Sequence, residues 1–340
     1  VNKEDLAFLP HELNEYLKII GQHPVSSEEA ALLLENTAGW ITGLVLREVK
    51  ENTPIFLQTK ATNVTGINLE NYFFDEIYMK QPNHVRKPLL QTSIFDEFNI
   101  AICRDVLGKS EIFNWTDFFD ELINKNLFID QVKDDCIWIR YHHLFRDFLR
   151  KTFNQQRPEE MRQILDRLTN YYLNNQEWER AYITACQLEN PEKMAKIIET
   201  AFGPLFHEGR LKLLADWLEK LPVEGYTAYP ILNSLKGFTF TELGNPDQGL
   251  VEINKAIKID EIKSNPEYLS KSLIWRSTAN RLLGKYHDGV DDSYQANRII
   301  PDDIQFQPIK AEAFREIGLG YGRIGNNQKA LDLSLIHISE

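Results

Sequence analysis

Three segments in the C-terminal third of the chain share one plan, and that repetition limits the fold more than any other feature. They are Glu242-Leu-Gly-Asn-Pro-Asp-Gln-Gly-Leu250, Leu282-Leu-Gly-Lys-Tyr-His-Asp-Gly-Val290 and Arg323-Ile-Gly-Asn-Asn-Gln-Lys-Ala-Leu331. Gly284 follows Gly244 by 40 residues, and Gly325 follows Gly284 by 41. Glycine accepts the left-handed backbone that ends a helix, and a small residue five positions on (Gly249, Gly289 or Ala330) lets the next helix approach closely. Each segment therefore predicts a helix, a tight turn and a second helix. Asn174-Asn-Gln-Glu-Trp-Glu-Arg-Ala181 fits the same scheme without the glycine, and Glu208-Gly-Arg-Leu211 begins another pair. A lone pair cannot bury its apolar face, so successive pairs must stack into a right-handed α-solenoid with a concave surface.

Upstream the period changes from 3.6 to 2. Asn126-Leu-Phe-Ile-Asp-Gln-Val132 alternates Leu127 and Ile129 with Phe128 and Asp130, and Cys136-Ile-Trp-Ile-Arg-Tyr141 alternates Ile137 and Ile139 with Trp138 and Arg140. With the polar turn Lys133-Asp-Asp135 between them, they predict a β-hairpin. From His142 onward Leu144, Phe145, Phe148 and Leu149 form a helical stripe. His142 thus sits where a strand hands over to a helix start, whose free N–H groups and dipole favour phosphate. Two readings fit it equally: an imidazole that adds a donor to a phosphate, or a residue that caps or packs the junction.

Ahead of the hairpin, Pro10 opens a helix with Leu13, Tyr16, Leu17 and Ile20 on one face, Ser26 caps a second before Ala30, Leu33 and Leu34, and Gly43 to Leu46 begins a third. Helices are expected over Leu69 to Tyr78, around Val85 to Leu90 in spite of Pro88, over Ile100 to Leu107, and over Trp115 to Ile123. Several helices followed by a two-stranded wing outline a winged helix domain. Beyond about Pro158 strand patterns disappear. There Trp178, Trp217, Trp275, Tyr286 and Phe314 either line a groove or, for most of them, fill the repeat core, and Glu159-Glu160 and Asp302-Asp303 read as solvated faces.

Length and charge narrow the function. A chain of 340 residues exceeds one ordinary core. A net charge of −12 argues against nucleic-acid binding through the overall field. No apolar run long enough to span a bilayer occurs, and no signal-peptide pattern precedes Asp5, so the expected location is the cytoplasm. Cys103, Cys136 and Cys186 form no CxxC pair and read as buried thiols in a reducing compartment. No metal-ligand spacing, Ser/His/Asp set or Cys/His set is recognisable, so neither a catalytic residue nor a metal is expected. The chain begins with Val1 rather than Met, and the apolar tail after Leu331 breaks the amphipathic pattern; both are expected of fragment ends.

The repeat with Leu283-Gly-Lys-Tyr286 is similar to tetratricopeptide repeats. Thr37-x-Gly-Trp-x-x-Gly-Leu-x-Leu46, Gln91-Thr-Ser-Ile-Phe95, Asn126-Leu-Phe128 and Arg140-Tyr-His-His-Leu-Phe-Arg-Asp147, in this order before the repeats, resemble the large ATP-dependent LuxR-type transcriptional regulators of bacteria. These are the maltose-activator-like members of the signal-transducing ATPase class, and the chain reads as their central part. The resemblance implies a mainly α fold: a small helical lid over 1–57, a winged helix domain with its hairpin over 58–157, and truncated superhelical sensor repeats over 158–340. It also implies that His142 contacts the β-phosphate of ADP, with His143 replacing an acidic residue, and that Gly39 and Trp40 pack on adenine, with Ile41 replacing a proline. The implied cofactor is ATP or ADP in the full-length protein, held loosely at most by this part, since no G-x-x-x-x-G-K-[ST] sequence is present. The implied partners are a small-molecule inducer or regulatory protein on the solenoid, other copies of the activated protein, and DNA through a C-terminal domain outside this chain. An alternative is a helical-repeat scaffold for proteins, independent of nucleotide.

Overall fold

A computed structural model of the chain describes residues 10–19, 25–28, 30, 73–108, 113–125, 127–131 and 137–332. The expected helix after Gly43, the turn at 133–135, the tail after 332, and both Gly39 and Trp40 lie outside these residues. The chain divides into two compact units, 1–164 and 165–340.

In the first unit, helix α1 (Pro10–Ile19) buries Leu13 completely. Its Asn14 side chain both accepts from the Val25 N–H (2.8 Å) and donates to the Val25 carbonyl (3.0 Å), fixing the entry to the turn in which the Ala30 N–H reaches Ser26 (2.8 Å). The helix expected to end near Tyr78 is a π-helix over Phe73–Tyr78, and its wider turn extends to Met79, whose N–H bonds the Phe74 carbonyl five residues back (2.8 Å). Helices α2 (Asn83–Thr92), α3 (Ile100–Leu107) and α4 (Trp115–Asn124) follow. Asn99 caps α3 through the Ile102 N–H and Asn114 caps α4 through the Thr116 N–H.

The hairpin is present but shorter than the alternation predicts: β1 (Ile129–Gln131) pairs antiparallel with β2 (Ile139–Tyr141), with Asp130 opposite Arg140. Phe128 does not continue the strand. Its φ of 54° turns it out of the pleat, and its ring packs 5.2 Å from Phe145 and 5.3 Å from Phe73. Ile137 is exposed rather than paired with Ile139 on a buried face. On its other edge β2 gains a bridge that alternation could not show, since Phe98 and Ile139 exchange two backbone hydrogen bonds of 2.9 and 2.8 Å. Helix α5 (His143–Gln156) then lays Phe145, Phe148, Leu149 and Phe153 into an aromatic core with Phe73, Phe98 and Phe119.

The division between the units falls within α6 (Pro158–Asn174). The second unit continues with α7 (Trp178–Gln187), α8 (Pro191–His207), α9 (Leu211–Lys220), α10 (Val223–Ala228), α11 (Ile231–Glu242), α12 (Pro246–Ala256), α13 (Asp260–Ser264), α14 (Pro266–Leu282), α15 (Tyr286–Ile299), α16 (Gln307–Ile324) and a last helical stretch over 327–332. The predicted turns are where the spacing puts them. Gly244, Gly284 and Gly325 have φ of 88°, 76° and 91°. In each turn the next residue's N–H reaches back five positions, from Asn245 to Phe240 (2.9 Å), Lys285 to Asn280 (2.8 Å) and Asn326 to Tyr321 (2.9 Å), the double-bonded left-handed helix end. Gln176 supplies the same geometry without glycine, at φ 60°.

Trp217 stacks on Tyr182 at 4.3 Å and Trp275 on Phe238 at 5.4 Å, both in the core; Trp178, Tyr286 and Phe314 are half-buried. Cys103 is buried as expected, but Cys186 is exposed, because it lies one residue beyond the Ala181, Tyr182 and Ala185 stripe of α7. Cys136 lies outside the described residues.

The small residue after each turn acts as expected where α12 crosses α11. A Cβ on Gly249 would lie 2.6 Å from the Gly237 carbonyl oxygen and 2.0 Å from Thr241 Oγ1. Gly249→Ala should therefore destabilise the second unit by about 1–3 kcal/mol through forced separation of the two helices. Gly322→Ala meets no atom within 4 Å and should stabilise by about 0.5–1 kcal/mol. Urea unfolding of the two variants checks the contrast; equal effects would contradict the close crossing.

Candidate functional site

The junction between β2 and α5 is built from both directions. Tyr141 ends the strand buried, its hydroxyl 2.8 Å from Thr92 Oγ1, and burial raises its pKa well above that of a free phenol. His142 follows with φ −55° and ψ 135°, outside both strand and helix. Its N–H donates to the Phe128 carbonyl (2.7 Å), and its own carbonyl accepts from the Arg146 N–H (2.9 Å), which closes the first turn of α5. The left-handed backbone of Phe128 is what presents that carbonyl. The N–H groups of residues 143 to 145 precede the first closed turn, and the helix dipole is positive there.

His142 is 5 % exposed, and its ring stacks at 4.5 Å on His143, which is exposed. The imidazole makes no capping hydrogen bond to the helix. Of the sequence-predicted site residues, His142 is thus held at the helix start beside an exposed second histidine. Gly39 and Trp40 lie outside the described residues.

Two arginines on α5 fix the helix, and the sequence reading missed them. Arg150 donates from Nε to the Ser93 carbonyl (2.7 Å) and from an Nη to the Ile94 carbonyl (2.6 Å). Burial, and then the like charge of Arg146, pulls its pKa down, with Asp96 and Asp147 opposing. Arg146 reaches exposed Asp96 at 2.9 Å. The Gln91-Thr-Ser-Ile-Phe95 motif is therefore the ledge on which α5 rests. The signal for it was two arginines four apart on a helix, facing a segment that leaves carbonyls beyond its last helical turn.

Glu160 also departs from the solvated face expected of it. It accepts from Arg157 (3.1 Å) and Gln91 (2.7 Å) and pairs with Lys87 (3.2 Å). Partial burial raises its pKa, and these three partners more than offset that, leaving the carboxyl below its ordinary 4.5. Among the described residues no group of three or more His, Cys, Asp or Glu is placed to hold a metal ion, and no helix is long and apolar enough to cross a membrane.

Residues 74–161 match the family model of the MalT winged helix domain. The chain is similar to the HTH-type transcriptional regulator MalT of Cronobacter sakazakii, with 26% identity over 243 residues, covering 70% of this chain and 26% of that protein. It is similar to the regulator of the same name from Yersinia pestis, with 22% identity over 310 residues, covering 90% of this chain and 34% of that protein. The chain spans a quarter to a third of the length of these curated relatives. In fold it is similar to the crystal structure of a Signal Transduction ATPase with Numerous Domains protein with a tetratricopeptide repeat sensor from Pyrococcus horikoshii. The TM-score is 0.52 at 16% identity, covering 98% of this chain and 54% of that one. The mainly helical architecture expected from the sequence, with a winged helix and tetratricopeptide-like repeats, is the one observed.

Arg150→Met should destabilise the first unit by about 2–4 kcal/mol, since two carbonyls lose a charged donor, whereas Arg146→Ala should change stability by less than about 1 kcal/mol, its partner being exposed. Chemical unfolding separates the two; similar losses would contradict the ledge. Because the Glu160 carboxyl is held below 4.5, the stability it adds is complete above that pH and fades as pH falls through the folded-state value. Glu160→Gln should lower the urea midpoint at pH 7 and weaken its fall below about pH 4.5; an unaltered acid limb would contradict this.

Proposed function

We propose, from the premise that a MalT-type winged helix domain occupies residues 74–161, that the chain is the central part of a bacterial ATP-dependent LuxR-type transcriptional regulator. It works as a nucleotide-gated switch. ADP holds the small helical part (1–57) and the winged helix part (58–157) closed, with His142 at the β-phosphate and Gly39 and Trp40 at the adenine. An inducer or regulatory protein docks on the repeats (158–340), and the equilibrium shifts toward an ATP-bound form that self-associates. Hydrolysis belongs to a P-loop module and DNA reading to a further domain, both outside this chain, and the parent acts in the cytoplasm.

The observation that carries the reading is the place of His142: at the first residue before α5, inside the matched segment, next to N–H groups that no turn of the helix has yet used. Backbone donors at the positive end of a dipole are the chemistry a diphosphate needs. The fold neighbour, described as a signal-transduction ATPase with a tetratricopeptide sensor, supports the same arrangement of parts.

In the full-length parent, His142→Ala should weaken ADP retention at least tenfold, or about 1.4 kcal/mol, and raise basal transcription without inducer. Circular dichroism controls for loss of fold at this buried position. ADP retention and basal activity both unchanged in a folded variant would remove His142 from the mechanism and favour the nucleotide-independent scaffold.

A further inference from the structure

One cleft in the second unit is lined by charged groups that the packing leaves unmatched. It lies among α9, α11 and α12, has a volume of about 380 Å³, and is lined in part by Leu218, Glu219, Lys236, Phe240, Gln248 and Glu252. That size lies within the range of small-molecule sites. Lys236 is half-buried, and its ammonium sits 5.6 Å over the centre of the Tyr226 ring. The ring is itself anchored by a hydrogen bond from its hydroxyl to the Leu218 carbonyl.

The neighbouring charges are satisfied elsewhere: Lys220 pairs with Asp216 (2.9 Å), and Lys255, three residues on along α12, pairs with Glu252 (2.9 Å). Among the described residues neither Lys236 nor Glu219 has an oppositely charged partner within ion-pair distance. They line one cleft without meeting each other. An ammonium that has lost part of its water regains the lost interaction when an anion enters. Contact with an aromatic face holds that ammonium in place while leaving its other donors free. Phe240, half-buried, adds apolar surface, and Gln248 adds an amide.

We propose that this cleft binds a small zwitterion, an amino acid or dipeptide with an apolar side chain. The carboxylate sits on Lys236, the ammonium on Glu219, and the side chain lies against Phe240. The inference stands on the cleft alone, so its failure leaves the nucleotide-switch reading untouched.

Calorimetric titration of the 340-residue chain with L-leucine and with leucyl-leucine tests it. Leucinamide and N-acetyl-leucine, each lacking one charge, are titrated in parallel. At least one of the two zwitterions should bind at millimolar concentration or below. Each analogue should bind at least tenfold more weakly, and so should that zwitterion with the Lys236→Met and Glu219→Gln variants, whose thermal unfolding should match the parent chain's. Lys236→Met keeps the stem over Tyr226, so the fold is retained while the charge is lost. Absence of binding by both zwitterions overturns the proposal. So does binding that survives either the masking of a ligand charge or both substitutions.

Discussion

The last carbonyls of a helix need partners, and in residues 165–332 one device provides them six times: a single residue with positive φ at Gln176, Glu189, Gly209, Gly244, Gly284 and Gly325. The residue after it returns its N–H to the preceding helix, so the chain reverses within a few positions and the next helix lies back along the first. Every layer of the repeat depends on this reversal. At the four glycines it carries no steric penalty, whereas at Gln176 and Glu189 the left-handed backbone costs roughly 1–2 kcal/mol each. Those two turns persist because the helices on either side bury Tyr172, Ala181, Ala185 and Ile198. Once the chain has reversed, small residues decide how near the helices come, as where Gly249 of α12 meets the backbone of Gly237 in α11.

The first unit is held by long-range contacts instead. Phe98 and Ile139, far apart in sequence, join through backbone bonds, and Arg150 holds the Ser93 and Ile94 carbonyls from more than fifty residues away. Their shared consequence is a strand-to-helix junction of fixed geometry. Phe128 gives up extended backbone, sending its ring into the aromatic core and its carbonyl to the His142 N–H. His142 is thereby placed from three directions at once: Phe128 just before β1, the end of β2 and the first turn of α5.

What could be read from the sequence was what local chemistry decides. Glycine at constant spacing, Pro10 at the start of α1, and alternation in the hairpin each act over a few residues, so their marks survive in one dimension. Gln176 was recognised only because its flanks repeat the pattern; a glutamine at positive φ leaves no mark of its own. Phe128 looked like one more strand residue, because tertiary packing of its ring, not propensity, sets its backbone. Nothing near Arg150 in the sequence marks its role, and Glu160 looked like a solvated face, since their partners on and just after α2 are distant in sequence. The unmatched pair Lys236 and Glu219 was equally hidden, for its two residues lie on α11 and α9, which come together only in the stack.

The central claim is that the turns between helices are built, hydrogen-bonded elements and not loose connections. Residue-resolved amide hydrogen exchange tests it most directly. The amides of Asn245 and Lys285, which lie between helices but donate to Phe240 and Asn280, are predicted to exchange as slowly as the helix interiors on either side. Exchange at the rate of open loops, with the flanking helices still protected, would contradict the account.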